Sequence, residues 1–530
     1  MARTPWHDHL SRIIRIATAA DQKGIPTREA TDLARAGGLW APTRRGLVQA
    51  AVTAGAGLMT PGLARAARKT GATSEVAIVG AGLAGLVAAD ELQSAGIVPT
   101  LFEAGERVGG RCASLTGFFP GQTAERGGEL IDTLHTTMRH YARQFGLETE
   151  DLTKEEGDVL YYFGGSLHTE ADVVDEFRVL VDAMRDDLRT VGAPTALAYT
   201  DADRELDLLD LGSYLSTRGA GDLITEVIRS AYVGEYGSEI EEQSSLSFLQ
   251  FIHADRRAHF APFGVFSDER FHLVGGNDQI ATGLADRFEG AIEYGYTLVA
   301  ATTASDGRVR LTFQVGSRTI EKTFDAVIFA VPFSVLSRCD LTGLDLPDWK
   351  SNAINELRYG TNAKTMIGFS SRPWQAVGSN GSVYADLANV QVAWETNPSN
   401  ATSSRGVLTD YAGGARGAAL TTRALHAQVG DFLSGLEAFI PGVSDAAVLT
   451  GRREYLAHIE AWPENPLARG SYTSNHPGYF TEIADLEGIP VGNVFFAGEH
   501  TDSFYSWQGF MEGACLSGVR AAAEVAAHLR

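Results

Sequence analysis

Residues 76–85 read Val-Ala-Ile-Val-Gly-Ala-Gly-Leu-Ala-Gly. The run Glu75–Val79 is short and mostly apolar, as a buried parallel strand requires, and Leu83–Ala95 follows with good helix formers that stop at Gly96. Between them Gly80 allows a tight bend, Gly82 lets backbone approach a pyrophosphate, and Gly85 lets helix and strand pack closely. Phosphates would rest on the helix N-terminus, where unpaired N–H groups favour negative charge. Three glycines at this spacing are weak evidence alone. Here a second predicted strand, Val98–Glu103, ends in an acid 18 positions after Gly85 (103 − 85). That carboxylate can accept ribose hydroxyls and would repel a 2′-phosphate, so strand, turn, helix and acid agree on a dinucleotide site in a Rossmann-like α/β unit.

Further motifs follow in order. Gly109-Gly110-Arg111 comes soon after Glu103, then Glu125-Arg126-Gly127-Gly128-Glu129-Leu130, then Val274-Gly275-Gly276-Asn277-Asp278-Gln279. Residues 325–332 read DAVIFAVP, 494–499 read VFFAGE and 507–514 read WQGFMEGA. From Val76 to the C-terminus the chain resembles the flavin-containing amine oxidase family, which includes monoamine oxidases, polyamine oxidases and L-amino acid oxidases. It is most similar to bacterial L-amino acid oxidases. The resemblance implies FAD, with Gly80, Gly82, Gly85 and Glu103 at its ADP end and Leu298 against the adenine. It places Gly110, Arg111, Gly127 and Gly128 along the cofactor, Glu499 at the ribityl chain, Met511 at a flavin-facing helix start and Trp462 near the dimethylbenzene edge. Monoamine oxidases carry a covalent cysteine where this chain has Ser471, so FAD should be non-covalent.

The same resemblance puts Lys364, after Tyr359-Gly360-Thr361-Asn362-Ala363, within reach of flavin N5 through a water; without the motif it would read as a solvated lysine at a strand start. Tyr472 and Phe510, with Trp507 beside them, would form an aromatic slot admitting a neutral amine, or they are core aromatics. The implied reaction is oxidation of the amine-bearing carbon, hydrolysis of the imine to a carbonyl compound and ammonia, and reduction of O2 to H2O2. Many L-amino acid oxidases grip the substrate carboxylate with an arginine, and the matching position is Leu130, so the anchor would have to be Arg126 or an arginine elsewhere. Glu129 is read either as a holder of a substrate amino group or as a buried acid paired with backbone or Arg126. The leading reading is an L-amino acid oxidase, against a primary amine or polyamine oxidase and, from another class, a flavin-fold binding protein without turnover.

With 530 residues, 44% hydrophobic and 21% charged, the chain has room for two cores. Its net charge of −22 without a long basic run speaks against nucleic acid. Cys112, Cys339 and Cys515 lack metal-ligand spacing, so no metal or disulfide framework is expected. Residues 71–130, 267–345 and 452–530 are assigned to the FAD-binding domain, and 131–266 and 346–451 to a mixed α+β substrate-binding domain.

Residues 1–70 read as a leader. Thr43-Arg44-Arg45-Gly46-Leu47-Val48 resembles a twin-arginine signal, Gly46–Met59 is modestly apolar and Ala64-Arg65-Ala66 offers a cleavage site. Export of the folded chain would follow, or a cytoplasmic location if the leader is not functional. The apolar stretch is short for a membrane span. Residues 7–35 alternatively carry helix-like spacing at Leu10, Ile13, Ile14 and Ile16, the mark of a retained helical extension. The sequence leaves a homo-oligomer open.

Overall fold

The computed structural model describes residues 74–152, 156–252, 269–288, 290–398 and 403–530, with residues 26–35 and residues 13, 16, 17 and 20 before them. The expected twin-arginine motif, apolar stretch and cleavage site lie outside the described residues.

Two sheets organise the molecule. The first has five strands in the order Val494–Phe496, Ala326–Phe329, Val76–Val79, Thr100–Glu103 and Ile292–Tyr294, and every pairing is parallel. Parallel strands are covered on both faces, which explains the unbroken apolar runs at Val76–Val79 and Ala326–Phe329. Helices Leu83–Ser94 and Met511–His528 cross closely over this sheet because Gly518 lacks a side chain; a Cβ there would stand 2.4 Å from the Ala84 carbonyl oxygen. On the other face Phe102 packs against Phe313 of a three-stranded antiparallel sheet, with ring centroids 4.5 Å apart.

The second sheet has seven strands, in the order Ala457–Ala461, Ala363–Phe369, Gly406–Ala412, Val390–Glu395, Ser379–Leu387, Asp158–Phe163 and Ser166–His168. It is antiparallel except where Ser379–Leu387 meets Asp158–Phe163. Helix Asp222–Tyr236 lies against it, with Gly234 facing the Val392 side chain at 3.0 Å from an added Cβ. Strand Ala457–Ala461, grouped by sequence with the nucleotide-binding segments, is paired here with Ala363–Phe369. The whole is a mixed α/β molecule, in which a parallel sheet of the expected Rossmann type stands beside a mixed sheet with helices.

The first helices belong to the folded body. Residues 13, 16, 17 and 20 are helical, Thr27–Arg35 is a helix, and Ile13, Ile16, Ala17, Ala20, Ala30 and Ala34 share a core with Val173, Val174, Phe177 and Leu180. Those last four residues lie on helix Glu170–Thr190, which starts at a capping box between Thr169 and Asp172. Polar contacts close the edge, since Arg178 Nη1 donates to Thr27 Oγ1 at 2.8 Å and the Thr27 hydroxyl donates to Asp175. Because Ile16 is fully buried, Ile16→Ala should cost about 2–5 kcal/mol. Denaturant unfolding checks this; a neutral substitution would mean that the segment does not dock in solution.

Candidate functional site

A cavity of about 340 Å³ opens beside the first parallel strands, walled by Gly80, Gly82, Glu103, Gly110 and Arg111 on one side. Leu298, Arg126, Trp462, Glu499 and Met511 complete it from four other parts of the chain. The glycine turn is shaped as the spacing implies. Gly80 has φ +105°, and a Cβ there would lie 2.6 Å from the Ala330 carbonyl oxygen. Gly85 faces the strand, with an added Cβ only 1.9 Å from the Gly80 carbonyl oxygen, so its role is packing rather than lining. Gly82 differs: apart from its own chain neighbours, no described residue lies within 4 Å of where its Cβ would stand. It leaves open the N-terminus of helix Leu83–Ser94, which has no capping side chain. Bare amides over an open cradle fit the phosphates of a dinucleotide.

Glu103 is fixed in the wall by two backbone donors, Ala81 N at 2.9 Å and Gly105 N at 2.7 Å. Arg107 also lines the cavity, a residue the sequence reading did not single out. Its guanidinium donates to the Gly110 and Val108 carbonyls at 2.7 and 3.0 Å, and burial lowers its pKa, with Arg126 adding to the effect. The clue was the run Glu106-Arg107-Val108-Gly109-Gly110-Arg111, a single loop carrying two arginines.

Arg111 joins distant segments. Its Nη1 donates to Glu499 Oε1 and to the Ser471 carbonyl, both at 2.7 Å. The other oxygen, Glu499 Oε2, accepts from Thr473 Oγ1 and Gly509 N at 2.9 Å each. Burial would raise the pKa of Glu499, but the Arg111 guanidinium and the remaining donors outweigh it and hold the carboxyl below its ordinary value. Ser471 is buried and its hydroxyl donates to Asn362 Oδ1 at 2.5 Å.

Gly127 and Gly128 are close-approach positions. A Cβ on Gly127 would lie 1.7 Å from the Arg111 carbonyl oxygen, and one on Gly128 would lie 2.6 Å from Met511 Sδ. Arg126, read from sequence as a substrate contact, lines the nucleotide-side cavity with Arg107 and Arg111 and gives its Nε to Glu460 Oε2 at 2.6 Å. Its carbonyl accepts from Trp462 Nε1 at 3.1 Å.

Lys364 is buried on strand Ala363–Phe369 and not solvated. Its Nζ donates to Glu129 Oε2 at 2.5 Å, to the Gly127 carbonyl at 2.9 Å and to the Glu125 carbonyl at 3.3 Å. Glu129 is thus paired with Lys364, not with Arg126, and its second oxygen accepts from Trp394 Nε1 at 2.9 Å. Trp394 was not foreseen. The Tyr472 hydroxyl lies 3.1 Å from that of Tyr411 and donates to the Glu235 carbonyl. Trp507 and Phe510 form a separate group with His135, whose ring stands edge-on to them at 4.4 and 5.4 Å. Leu130 is buried.

Beside this cluster Glu125 is enclosed. Burial pushes its carboxyl up to about 8, although Asn277 N and Ser114 Oγ each donate to it at 2.8 Å and so oppose the shift; the Glu129 charge adds to it. In the unfolded chain the proton leaves near 4.5. Stability from this group is therefore full below that value and falls as pH rises toward about 8. Glu125→Gln can keep both hydrogen bonds and should flatten the fall of Tm between pH 5 and pH 9; parallel profiles for variant and wild type would refute the burial argument. The glycines give a second contrast. Gly82→Ala should leave the apoprotein's Tm unchanged and weaken FAD binding at least about tenfold, whereas Gly85→Ala should lower the Tm before any cofactor is added. Thermal melts and FAD fluorescence titration decide it.

Known proteins resemble this chain along most of its length. The family described as flavin containing amine oxidoreductase matches residues 83–526. The L-amino-acid oxidase of Naja atra is 27% identical over 482 residues, 86% of this chain and 89% of that protein. The enzyme of the same name from Pseudechis australis is 25% identical over 486 residues, covering 86% and 88%. Among solved structures, cyclohexylamine oxidase from Brevibacterium oxydans IH-35A superposes with a TM-score of 0.72 at 21% identity, over 86% of this chain and 99% of that one. Putrescine oxidase bound to putrescine gives 0.71 at 22% identity, with the same coverage. A nucleotide cradle and this match over most of the chain lead to one conclusion: the protein is a flavoenzyme of the flavin-containing amine oxidoreductase family, with FAD as its cofactor.

Proposed function

We propose that the protein is an L-amino acid oxidase, which oxidises the amine-bearing carbon to an imine that water converts to a 2-oxo acid and ammonia, with O2 reduced to H2O2. FAD, when bound, supplies acceptance of the hydride and return of the electrons to oxygen. The chain's part is to bind, orient and exclude water. Gly80, Gly82, Glu103, Arg107 and Arg111 would hold the nucleotide end, Glu499 the ribityl region, and Met511 with Trp462 the walls of the ring. The buried Lys364 is the observation that carries the oxidase reading, since an ammonium enclosed beside the glycine pair is a fixed charge and not a surface lysine. The relatives named L-amino-acid oxidase, similar over most of this chain, support the amino acid substrate.

A second reading, a primary amine or polyamine oxidase, is favoured by one specific observation. Leu130 stands at the expected anchor position, and both nearby charged residues, Arg126 and Glu129, are already paired with Glu460 and Lys364. For location we propose export through the twin-arginine route, on the Arg44-Arg45 motif; the docked residues Ile13, Ile16, Ala17, Ala20, Ala30 and Ala34 favour a leader that stays with the body.

A panel of L-amino acids and simple amines, followed by H2O2 release and 2-oxo acid formation, tests the substrate. We expect at least one L-amino acid to be turned over with a kcat/KM at least about tenfold above that of any amine. Turnover of amines alone would replace the first reading with the second.

A further inference from the structure

We propose that Glu129, held from behind by Trp394, is the positioning residue for Lys364: it neutralises the lysine and anchors it against the segment 125–129, and does not contact substrate. This rests on the flavin oxidase reading above. A lysine ammonium has three N–H donors, and three acceptors surround this one, all from the segment 125–129: Glu129 Oε2 at 2.5 Å, the Gly127 carbonyl at 2.9 Å and the Glu125 carbonyl at 3.3 Å. Only one of the three carries charge. Two aromatic rings complete the enclosure, with Nζ 5.6 Å from the centroid of Trp394 and 5.9 Å from that of Tyr411.

The carboxylate is itself locked. Oε1 accepts from the Trp394 indole at 2.9 Å and Oε2 from Lys364, so each oxygen is tied to a protein donor and turning toward a substrate amine would break one of these bonds. Both side chains of the pair are almost wholly buried, 4% and 3% exposed. At that depth one charge without the other is strongly unfavourable, because desolvation is no longer offset by the partner.

The pair also has a place relative to the cavity. Gly127 gives its carbonyl to Lys364, while Gly128 packs on Met511, which lines the cavity. Lys364 and Trp394 sit on two strands of the seven-stranded sheet, and Glu129 on the glycine loop. The bridge therefore fixes the distance from sheet to loop as well as the local charge. On strand Ala457–Ala461 the residue opposite Lys364 is Glu460, whose carboxylate is already engaged by Arg126 and lies 3.7 Å from His458 Nε2. Glu129 is the carboxylate in hydrogen-bond contact with the lysine.

A double-mutant cycle tests this twice over. In the apoprotein, Glu129→Gln and Lys364→Met should each lower the Tm, and the double variant should lose less than the sum, because no buried charge is left alone. In the FAD-loaded protein at pH 6, the flavin midpoint potential separates a positioning charge from a packing contact. Glu129→Gln exposes the ammonium charge and should raise the potential. Lys364→Met leaves the carboxylate and should lower it, and the double variant should return toward wild type. Glu129→Asp, which keeps the charge, should stay on the wild-type side. Coupling in the apoprotein without opposite potential shifts would mean a structural ion pair and overturn the proposal, as would additive losses of Tm. A protein that takes up no FAD at all would instead remove the oxidase reading, while the apoprotein cycle would still report on the pair.

Discussion

The ion pair between half-buried Arg111 and buried Glu499 is the interaction on which the cofactor-binding half depends. Its partners are 388 positions apart, and the same guanidinium also holds the Ser471 carbonyl. Glu499 in turn fixes Thr473 and the amide of Gly509 just ahead of the last helix. One contact thus sets the spacing of the first glycine loop, the Ser471 segment and the C-terminal strand-to-helix turn. Enclosing the Glu499 carboxylate is costly, and it meets the condition that makes burial tolerable: both its oxygens accept from donors.

A second enclosed pair, Lys364 with Glu129, does the corresponding work toward the seven-stranded sheet. Between the partners of these pairs runs the loop 125–129, whose Gly127 has no room for a side chain because the Arg111 carbonyl and Trp462 stand against it, and whose Gly128 has none because Met511 does. The chemistry of the family is supplied by the cofactor, and the protein answers with charges that do not move.

Much of the nucleotide-binding half was legible because its signals are local. A glycine turn, the acid ending the next strand and the FAD-facing motifs are each read from ten residues or fewer, and all of Gly80, Gly82, Glu103, Gly110, Arg111, Leu298, Trp462, Glu499 and Met511 meet at one cavity. What failed to show was partnership. Glu129 and Lys364 are 235 positions apart, and nothing in the spacing pairs them. Arg126 was one of several partners open to Glu129 on sequence, beside backbone or a substrate amino group, and the loop sends it to Glu460. Strand Ala457–Ala461 illustrates the same limit, since its place in the chain beside the nucleotide-binding segments does not say which sheet receives it.

The parallel sheet carries a consequence for how the enzyme is made. Its central strand, Val76–Val79, has Thr100–Glu103 on one side and Ala326–Phe329 on the other, and the edge beyond is Val494–Phe496. Synthesis supplies these in the order first, second, fourth and last, so the nucleotide cradle stands half-built until nearly the whole chain has emerged. Closure of such long loops makes assembly slow. The full lining of the FAD cavity, Glu499 and Met511 included, is therefore complete only once the C-terminal segment has been made.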